Sequence, residues 1–318
     1  MERKQRTITY SQSCQGVGLH TGVDSVITFH PAPVDHGIRF IRSDIKNCTD
    51  IKADIDHVVD ISRGTTIEEN DVRIHTVEHA LAAVSGLRID NILIELTGKE
   101  PPVMDGSAKD FVECLIKAGI KVQDKKRKVL EITRAVNYTN SYRDIDIHVI
   151  PSDRFRITFM VEYNLPSLGS QYEAIYNMEE DFAFEVAPAR TFCFLSEVEM
   201  LKERGLIKGG GLENAVVIID KEIDAMEIER LKDLFNIEHN IIEGANGILN
   251  GKVLRYKNEP VRHKTLDLIG DLALLGVPIQ GHVTAARAGH ASNVEFVKKL
   301  KKQYSEELSK LLVDEDSG

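Results

Sequence analysis

The sequence predicts an α+β fold made of two similar units, each running strands, helix, strand, helix, with the active site in the cleft between them. Three observations predict it. The chain has 318 residues, above the usual size of a single hydrophobic core. Strand-like alternation occurs in both halves and is followed in each by a stretch with helical period. Finally, Gly86-Leu87-Arg88-Ile89 aligns with Gly276-Val277-Pro278-Ile279, and Phe111-Val112 aligns with Phe296-Val297, as internal repeats do. The expected units are 1–124 and 129–318, the second carrying an insert at about 189–220.

In chain order, Arg6 to Tyr10 alternates like a strand. Gly16-Val17-Gly18-Leu19-His20-Thr21-Gly22 is a tight turn, and it lacks the trailing Lys-Ser/Thr of a phosphate loop. Val26 to Pro31 reads as a strand, with Ile38 to Ile41 as its hairpin partner. Residues 43–71 give a weaker mix of short strands. A helix over His75 to Val84 stops at Gly86, and Ile89 to Leu96 is a strong strand. Ser107 and Asp110 suggest a capping box opening a helix over Phe111 to Ala118, which Gly119 ends. The charge run Asp124-Lys125-Lys126-Arg127-Lys128 reads as a solvated linker.

The second half repeats this order. Val129 to Val136 corresponds to the opening strand, Ile145 to Pro151 to Val26–Pro31, and Phe155 to Phe159 to Ile38–Ile41. In the insert, an apolar pattern through Val198, Leu201, Leu206 and Ile207 breaks at Lys208-Gly209-Gly210-Gly211, and Val216 to Ile219 reads as a strand. Pattern alone allows a core helix followed by a glycine turn. An amphipathic helix over Val294 to Leu312 precedes an acidic end.

Bulk properties narrow the function. A net charge of −10 leaves no basic face to neutralise a nucleic-acid backbone. Cys14, Cys48, Cys114 and Cys193 form no Cys-x-x-Cys pair, which points to reduced thiols in a cytoplasmic protein. No apolar signal core follows the charged start Met1 to Arg6, and no apolar run approaches the ~20 residues needed to span a bilayer.

Two helices carry the chemistry. On Arg262 to Asp271, residues four apart share a stripe, so His263, Asp267 and Asp271 line one side with Gly270 beside them. On His75 to Val84, Val77, Ala80, Leu81 and Val84 form an apolar face, with His75 and His79 on the other. Glu78 projects about 100° from His79 and would flank a metal without binding it. His79, His263 and Asp267 thus give three ligands and Glu78 a spare carboxylate, the usual arrangement of a catalytic zinc with an open fourth position. Taken alone, each stripe also fits a helix face turned to water. Two rival readings follow. His75-Thr76-Val77-Glu78-His79 fits the His-x-x-Glu-His signature of a zinc metalloprotease, in which His75 would be a ligand. A closed zinc could instead staple two domains of a non-catalytic nucleotide-sugar or lipid-binding module.

Six segments, in order over most of the chain, carry a family resemblance. They are Gly16 to Gly22, Thr76-Val77-Glu78-His79, Met104-Asp105-Gly106-Ser107, Ala189-Arg190-Thr191-Phe192, Arg262-His263-Lys264 through Gly270-Asp271, and Gly289-His290-Ala291. The chain resembles the zinc-dependent UDP-3-O-acyl-N-acetylglucosamine deacetylases, which catalyse the committed step of bacterial lipid A synthesis. The resemblance implies two β-α-α-β domains with helices sandwiched between sheets. It implies one Zn2+ per chain, with Fe2+ fitting similar ligands, and a UDP-linked acylated amino sugar as substrate of a monomer. It implies Glu78 as general base, and His290 as the protonated group that meets the developing charge and donates to the leaving amine. Asp271 would orient His290 and raise its pKa. Thr191 would hydrogen-bond the oxyanion, Lys264 would meet a phosphate, and Phe192 would pack on the sugar. The insert would form the acyl passage, with Leu19, Leu195, Val198, Leu206 and Ile207 as contacts.

Overall fold

The computed structural model describes residues 4–62, 64–235, 244 and 246–312. Two five-stranded sheets of the same topology organise it. The first contains β1 (Gln12–Val17), β2 (Asp24–Pro31), β3 (Ile38–Arg42), β4 (Ile51–Lys52) and β5 (Ile92–Leu96), in the order β1-β2-β5-β3-β4. The second contains β6 (Val136–Asn140), β7 (Ile145–Ile150), β8 (Arg156–Glu162), β9 (Ser170–Ile175) and β10 (His282–Ala286), in the order β6-β7-β10-β8-β9. In each sheet the last strand in sequence enters the middle, antiparallel to one neighbour and parallel to the other. Ile92 faces Pro31 and Ile38, and His282 faces Ile150 and Arg156. The offset from Ile92 to His282 equals that from Gly86 to Gly276, so the short repeat seen in sequence is the repeat of the fold. One reading changes. Ile38–Arg42 is not the hairpin partner of Asp24–Pro31, because β5 separates them, and a parallel pairing closed through a helix leaves no local turn signal.

Each central strand is flanked in sequence by helices. α1 (Glu78–Gly86) precedes β5 and α2 (Lys109–Ala118) follows it. After α3 (Leu195–Glu203) in the insert, α4 (Glu259–Ala273) precedes β10 and α5 (His290–Gln303) follows it. One apolar core runs from Phe29, Phe40 and Ile94 of the first sheet through Leu81, Leu115, Leu266 and Ile269 of the helices to Ile147, Phe159 and Val283 of the second. The expected sandwich of helices between sheets is therefore the observed fold.

α1 begins at Glu78, not at His75. Thr76 has φ +54°, outside the right-handed helical region, and stops the helix there. Nor is α1 amphipathic. Apart from Ser85 its residues are buried, because it packs against α4 on one side and α2 on another. Gly270 permits that approach, since a Cβ there would stand 2.2 Å from the Glu78 carbonyl oxygen.

Further differences have local causes. α2 starts at Lys109, with Ala108 at the cap position and Ser107 Oγ accepting the Lys109 N–H at 3.2 Å. The charge run is not a free linker. Strand Ile120–Lys126 pairs with Lys4–Ile8, Arg127 meets Asp90 and Lys128 meets Asp35. The C-terminal helix breaks at Tyr304, which is fully buried; its hydroxyl accepts the N–H groups of Thr133 and Arg134. The acidic end beyond Leu312 lies outside the described residues. In the insert, Phe192–Phe194 pairs in parallel with Val216–Ile218, with α3 between them, and Leu231 and Leu249 join its core. The first unit carries its own addition between β4 and α1, a small sheet of Val58–Asp60, Thr66–Glu69 and Val72–Ile74. Among the described residues no helix is long and apolar enough to cross a membrane.

Gly270→Ala tests the helix crossing. Overpacking of this kind costs on the order of 1–3 kcal/mol. The variant should melt at a lower temperature and hold metal less tightly, because α1 and α4 each carry part of the metal group.

Candidate active site

The crossing of α1 and α4 brings together His79 from the first turn of one helix with His263 and Asp267, one turn apart on the other. His79 Nε2 and His263 Nε2 lie 3.6 and 3.5 Å from the same oxygen, Asp267 Oδ1. The two imidazoles stand edge to face at 88°, with centroids 4.9 Å apart. One ligand atom from each residue falls within 4.8 Å of the others. Ligands about 2.0–2.1 Å from a four-coordinate ion stand roughly 3.3–3.4 Å apart, close to the two shorter separations.

The donor pattern favours a cation as well. His263 Nδ1 donates to the Ala189 carbonyl at 3.0 Å, which fixes the tautomer and leaves the Nε2 lone pair facing the cluster. Burial, against the raising influence of Asp267, pushes His263 down to about 4, so the ring is neutral near pH 7. Burial would raise Asp267, but the surrounding imidazoles, His263 first, pull it below the usual carboxylate range. Asp267 Oδ1 is nonetheless buried without a hydrogen-bond donor. A buried, ionised oxygen without a donor, facing imidazole nitrogens, is a site for a metal ion. His79, His263 and Asp267 fit one.

Two titratable groups adjoin it. Glu78 is buried, and burial raises its pKa. Its Oε2 accepts the Thr65 N–H at 2.8 Å, and its Oε1 lies 3.7 Å from His290 Nε2. His290 opens α5. Its Nδ1 donates to Asp271 Oδ2 at 2.8 Å, leaving Nε2 turned toward Glu78 and, at 3.9 Å, Asp267. Burial opposes its charge, yet the carboxylates of Asp271, Glu78 and Asp267 outweigh burial and push it up to about 10. Asp271, fully buried, also accepts from Asn293 Nδ2 at 2.9 Å and from Thr65 Oγ1 at 2.6 Å.

The remaining predicted residues divide. Thr191 stands two residues past Ala189, its N–H bonded to the Gly106 carbonyl at 2.7 Å and its carbonyl to Val216 N–H at 2.9 Å. The Phe192 ring lies edge-on to His263, with centroids 6.5 Å apart. Lys264 points to the start of α5, where its Nζ donates to the Ala288 carbonyl at 3.1 Å; burial lowers its pKa. Leu19 meets the insert's glycine turn, its carbonyl accepting Gly209 N–H at 3.0 Å. Leu206 closes the turn after α3, its N–H bonded to the Leu201 carbonyl, and Ile207 borders the insert core. Leu195 and Val198 are fully buried in that core with Val217, Leu231 and Leu249.

His75 is outside the cluster and hydrogen-bonds Thr66 Oγ1 at 3.1 Å. Among the described residues the group able to hold a metal is His79, His263 and Asp267. Among the described residues the protease reading thus lacks its second histidine, and the closed zinc staple lacks a fourth ligand. A cavity of about 600 Å³ at the far end of α1, near Arg88, Ile89 and Leu272, contains none of the site residues.

Sequence reasoning missed the supports. Arg190 forms a buried double pair with Glu259, Nε–Oε1 at 2.8 Å and Nη2–Oε2 at 3.0 Å, which ties the segment before Thr191 to the first turn of α4. Glu259 also accepts the Arg255 N–H, and Arg255 reaches Asp105 of the first unit at 2.6 Å. Arg190 and Asp105 were visible in their motifs, although their roles were not. Glu259, four residues before His263 on one helix, was the detectable partner. Thr65 gave no signal at all.

Comparison with known proteins gives one family. The model for UDP-3-O-acyl N-acetylglycosamine deacetylase matches residues 5–235 and 218–302. A bifunctional LpxC/FabZ enzyme of Chlorobaculum tepidum is 52% identical over 299 residues, 94% of this chain and 64% of that protein. The UDP-3-O-acyl-N-acetylglucosamine deacetylases of Myxococcus xanthus and Chlamydia pneumoniae are 40% and 39% identical, over 93% and 94% of this chain and 86% and 98% of theirs. The chain thus spans less than two thirds of the bifunctional relative.

Glu259→Ala would strand the buried Arg190 guanidinium. Removing one partner of such a pair costs about 3–5 kcal/mol. The urea midpoint should fall accordingly, and an unchanged midpoint would show that the pair does not anchor α4.

Proposed function

The chain belongs to the UDP-3-O-acyl N-acetylglycosamine deacetylase family, and from that premise we propose that it hydrolyses the N-acetyl amide of UDP-3-O-(3-hydroxyacyl)-N-acetylglucosamine, in lipid A synthesis, to the free amine and acetate. The observation that carries the reading is convergence. The three-residue metal group, a buried carboxylate and a charged imidazole face one point, with His290 Nε2 at 3.7 Å from Glu78 Oε1.

A divalent cation, Zn2+ in this reading, would be held by His79, His263 and Asp267 and would supply Lewis-acid polarisation of the carbonyl and the water. The protein's own groups handle the protons. Glu78, kept basic enough by burial, takes a proton from the attacking water as the C–O bond forms. His290, protonated at Nε2 and braced at Nδ1 by Asp271, faces the developing negative charge and gives its proton to the amine as the C–N bond breaks. Thr191 adds a hydroxyl for the oxyanion. Lys264 and Phe192 orient the UDP-sugar, and Leu19, Leu206 and Ile207 are the acyl contacts within reach of the surface, with Leu195 and Val198 behind them. The two units meet across the 124–129 stretch. One chain supplies every group, so a cytoplasmic monomer suffices.

The experiment is acetate release from UDP-3-O-acyl-N-acetylglucosamine, with metal content measured on the same preparation. Wild type should hold about one zinc and release acetate. Glu78→Gln should keep the metal and lose on the order of 10²–10⁴ in kcat. Metal without acetate release would overturn the substrate.

The pH profile tests the acid. His290 is raised to about 10 and is needed charged, so kcat should fall as pH rises through that value. Asp271→Asn removes a charge that raises the His290 pKa, so the basic limb should move to lower pH. A limb that stays in place would deny His290 the role of acid.

A further inference from the structure

Thr65 directly precedes the middle strand of the first unit's small sheet and lies against the start of α1, where it touches both proton-handling systems through different groups. Its N–H donates to Glu78 Oε2 at 2.8 Å, and its carbonyl accepts the Val77 N–H at 3.1 Å, so its backbone brackets the start of α1. Its hydroxyl crosses to α4 and donates to Asp271 Oδ1 at 2.6 Å. Thr65 is fully buried, so no water competes for these bonds. The preceding residue must be small, since a Cβ at Gly64 would lie 2.7 Å from Glu78 Oε1.

The direction of the hydroxyl bond follows from the inventory of donors. An ionised carboxylate only accepts, so the one hydroxyl proton of Thr65 goes to Asp271. His290 Nδ1 is 3.5 Å from Thr65 Oγ1 and spends its own hydrogen on Asp271 Oδ2. Asn293 Nδ2 also bonds Oδ2. Thr65 is therefore the donor that occupies Oδ1, and with both oxygens held the Asp271 carboxylate cannot turn about its Cβ–Cγ bond. The imidazole it carries inherits that orientation.

We propose that Thr65 is a positioning residue of the reaction, acting through Asp271 to aim His290 while its backbone fixes Glu78. This rests on the deacetylase reading. Loss of the hydroxyl should lower kcat and leave KM little changed, because misaiming a proton donor weakens the transition state more than substrate binding.

The test compares Thr65→Val, Thr65→Ser, Asp271→Ala and the Thr65→Val/Asp271→Ala double variant in the metal-loaded enzyme, after thermal melts establish folding. Thr65→Val should lose on the order of tenfold in kcat, with KM and metal content near wild type. Thr65→Ser should restore kcat to within about twofold. In the Asp271→Ala background the Val substitution should cost less than about twofold more, since residues acting through one another are not additive. Should Thr65→Val fail to fold, Thr65→Ala takes its place in the cycle. A second readout needs no substrate: the low-field Nδ1–H resonance of His290, seen by NMR, should exchange faster in Thr65→Val than in wild type. Full kcat in Thr65→Val, an equal cost in both backgrounds, a Ser variant as slow as the Val variant, or an unchanged His290 resonance would each overturn the inference. Wild type that releases no acetate would instead remove the deacetylase reading, and the resonance would then decide on Thr65 alone.

Discussion

Everything in the site depends on how closely α1 and α4 cross. Gly270 has no side chain where Glu78 presents its backbone, and Ala80, Ala82 and Ala83 keep α1 thin. A glycine inside a helix costs about 1 kcal/mol relative to alanine. Here it lets two helices from different units approach until His79 on one and His263 and Asp267 on the other share a single point. Among the described residues, neither unit holds a metal group by itself. The interface between the units and the active site are the same packing event, which is why the burial that stabilises the core also desolvates the charged groups.

Within that dry centre, hydrogen bonds give three carboxylates different work. Asp271 is held at both oxygens, by Thr65, Asn293 and His290. Asp267 has a buried oxygen with no donor and faces two imidazole nitrogens, so it is suited to a cation. Glu78 has one backbone donor on Oε2 and an oxygen turned toward His290, so it can take up a proton. The imidazoles divide in the same way. His263 spends Nδ1 on a carbonyl and is driven neutral by burial, whereas His290 spends Nδ1 on a carboxylate and is held charged. Residue type sets what is available, and the neighbouring donors decide which use it takes.

Much of this was legible in the sequence. Period-2 and helical patterns located most strands and helices of both sheets, and the pairing of Gly86–Ile89 with Gly276–Ile279 foretold the register at Ile92 and His282. Spacing on two helices named the residues that cluster. What escaped was non-local or conformational. The insertion of β5 between β2 and β3 is a tertiary choice without a turn signal. Thr76, at positive φ, ends the helix that His75 was expected to join, and nothing in its residue type announces that. Leu195 and Val198 lie in the insert's buried cluster, and from sequence an apolar residue reads the same whether it covers a channel or fills a core. Thr65 bonds Asp271 across most of the chain's length, a contact no window of sequence contains.

The repeat itself explains why there is one site and not two. Under the offset that superimposes Ile92 on His282, Glu78 falls opposite Leu268. His263 and Asp267 therefore lie on a part of α4 that precedes anything α1 possesses. That extra length is anchored by Glu259, whose pair with Arg190 ties it to the segment carrying Ala189 and Thr191. On the other side, Thr65 directly precedes the middle strand of a small sheet that, among the described residues, belongs to the first unit. The shared fold supplies two sheets and a close helix crossing. His263 and Asp267 enter through the extension of α4 and Thr65 beside the small sheet ahead of α1, whereas Glu78, His79 and Asp271 lie where the two helices correspond. The group that could hold a metal draws one residue from the first unit and two from the second, so it needs both units docked.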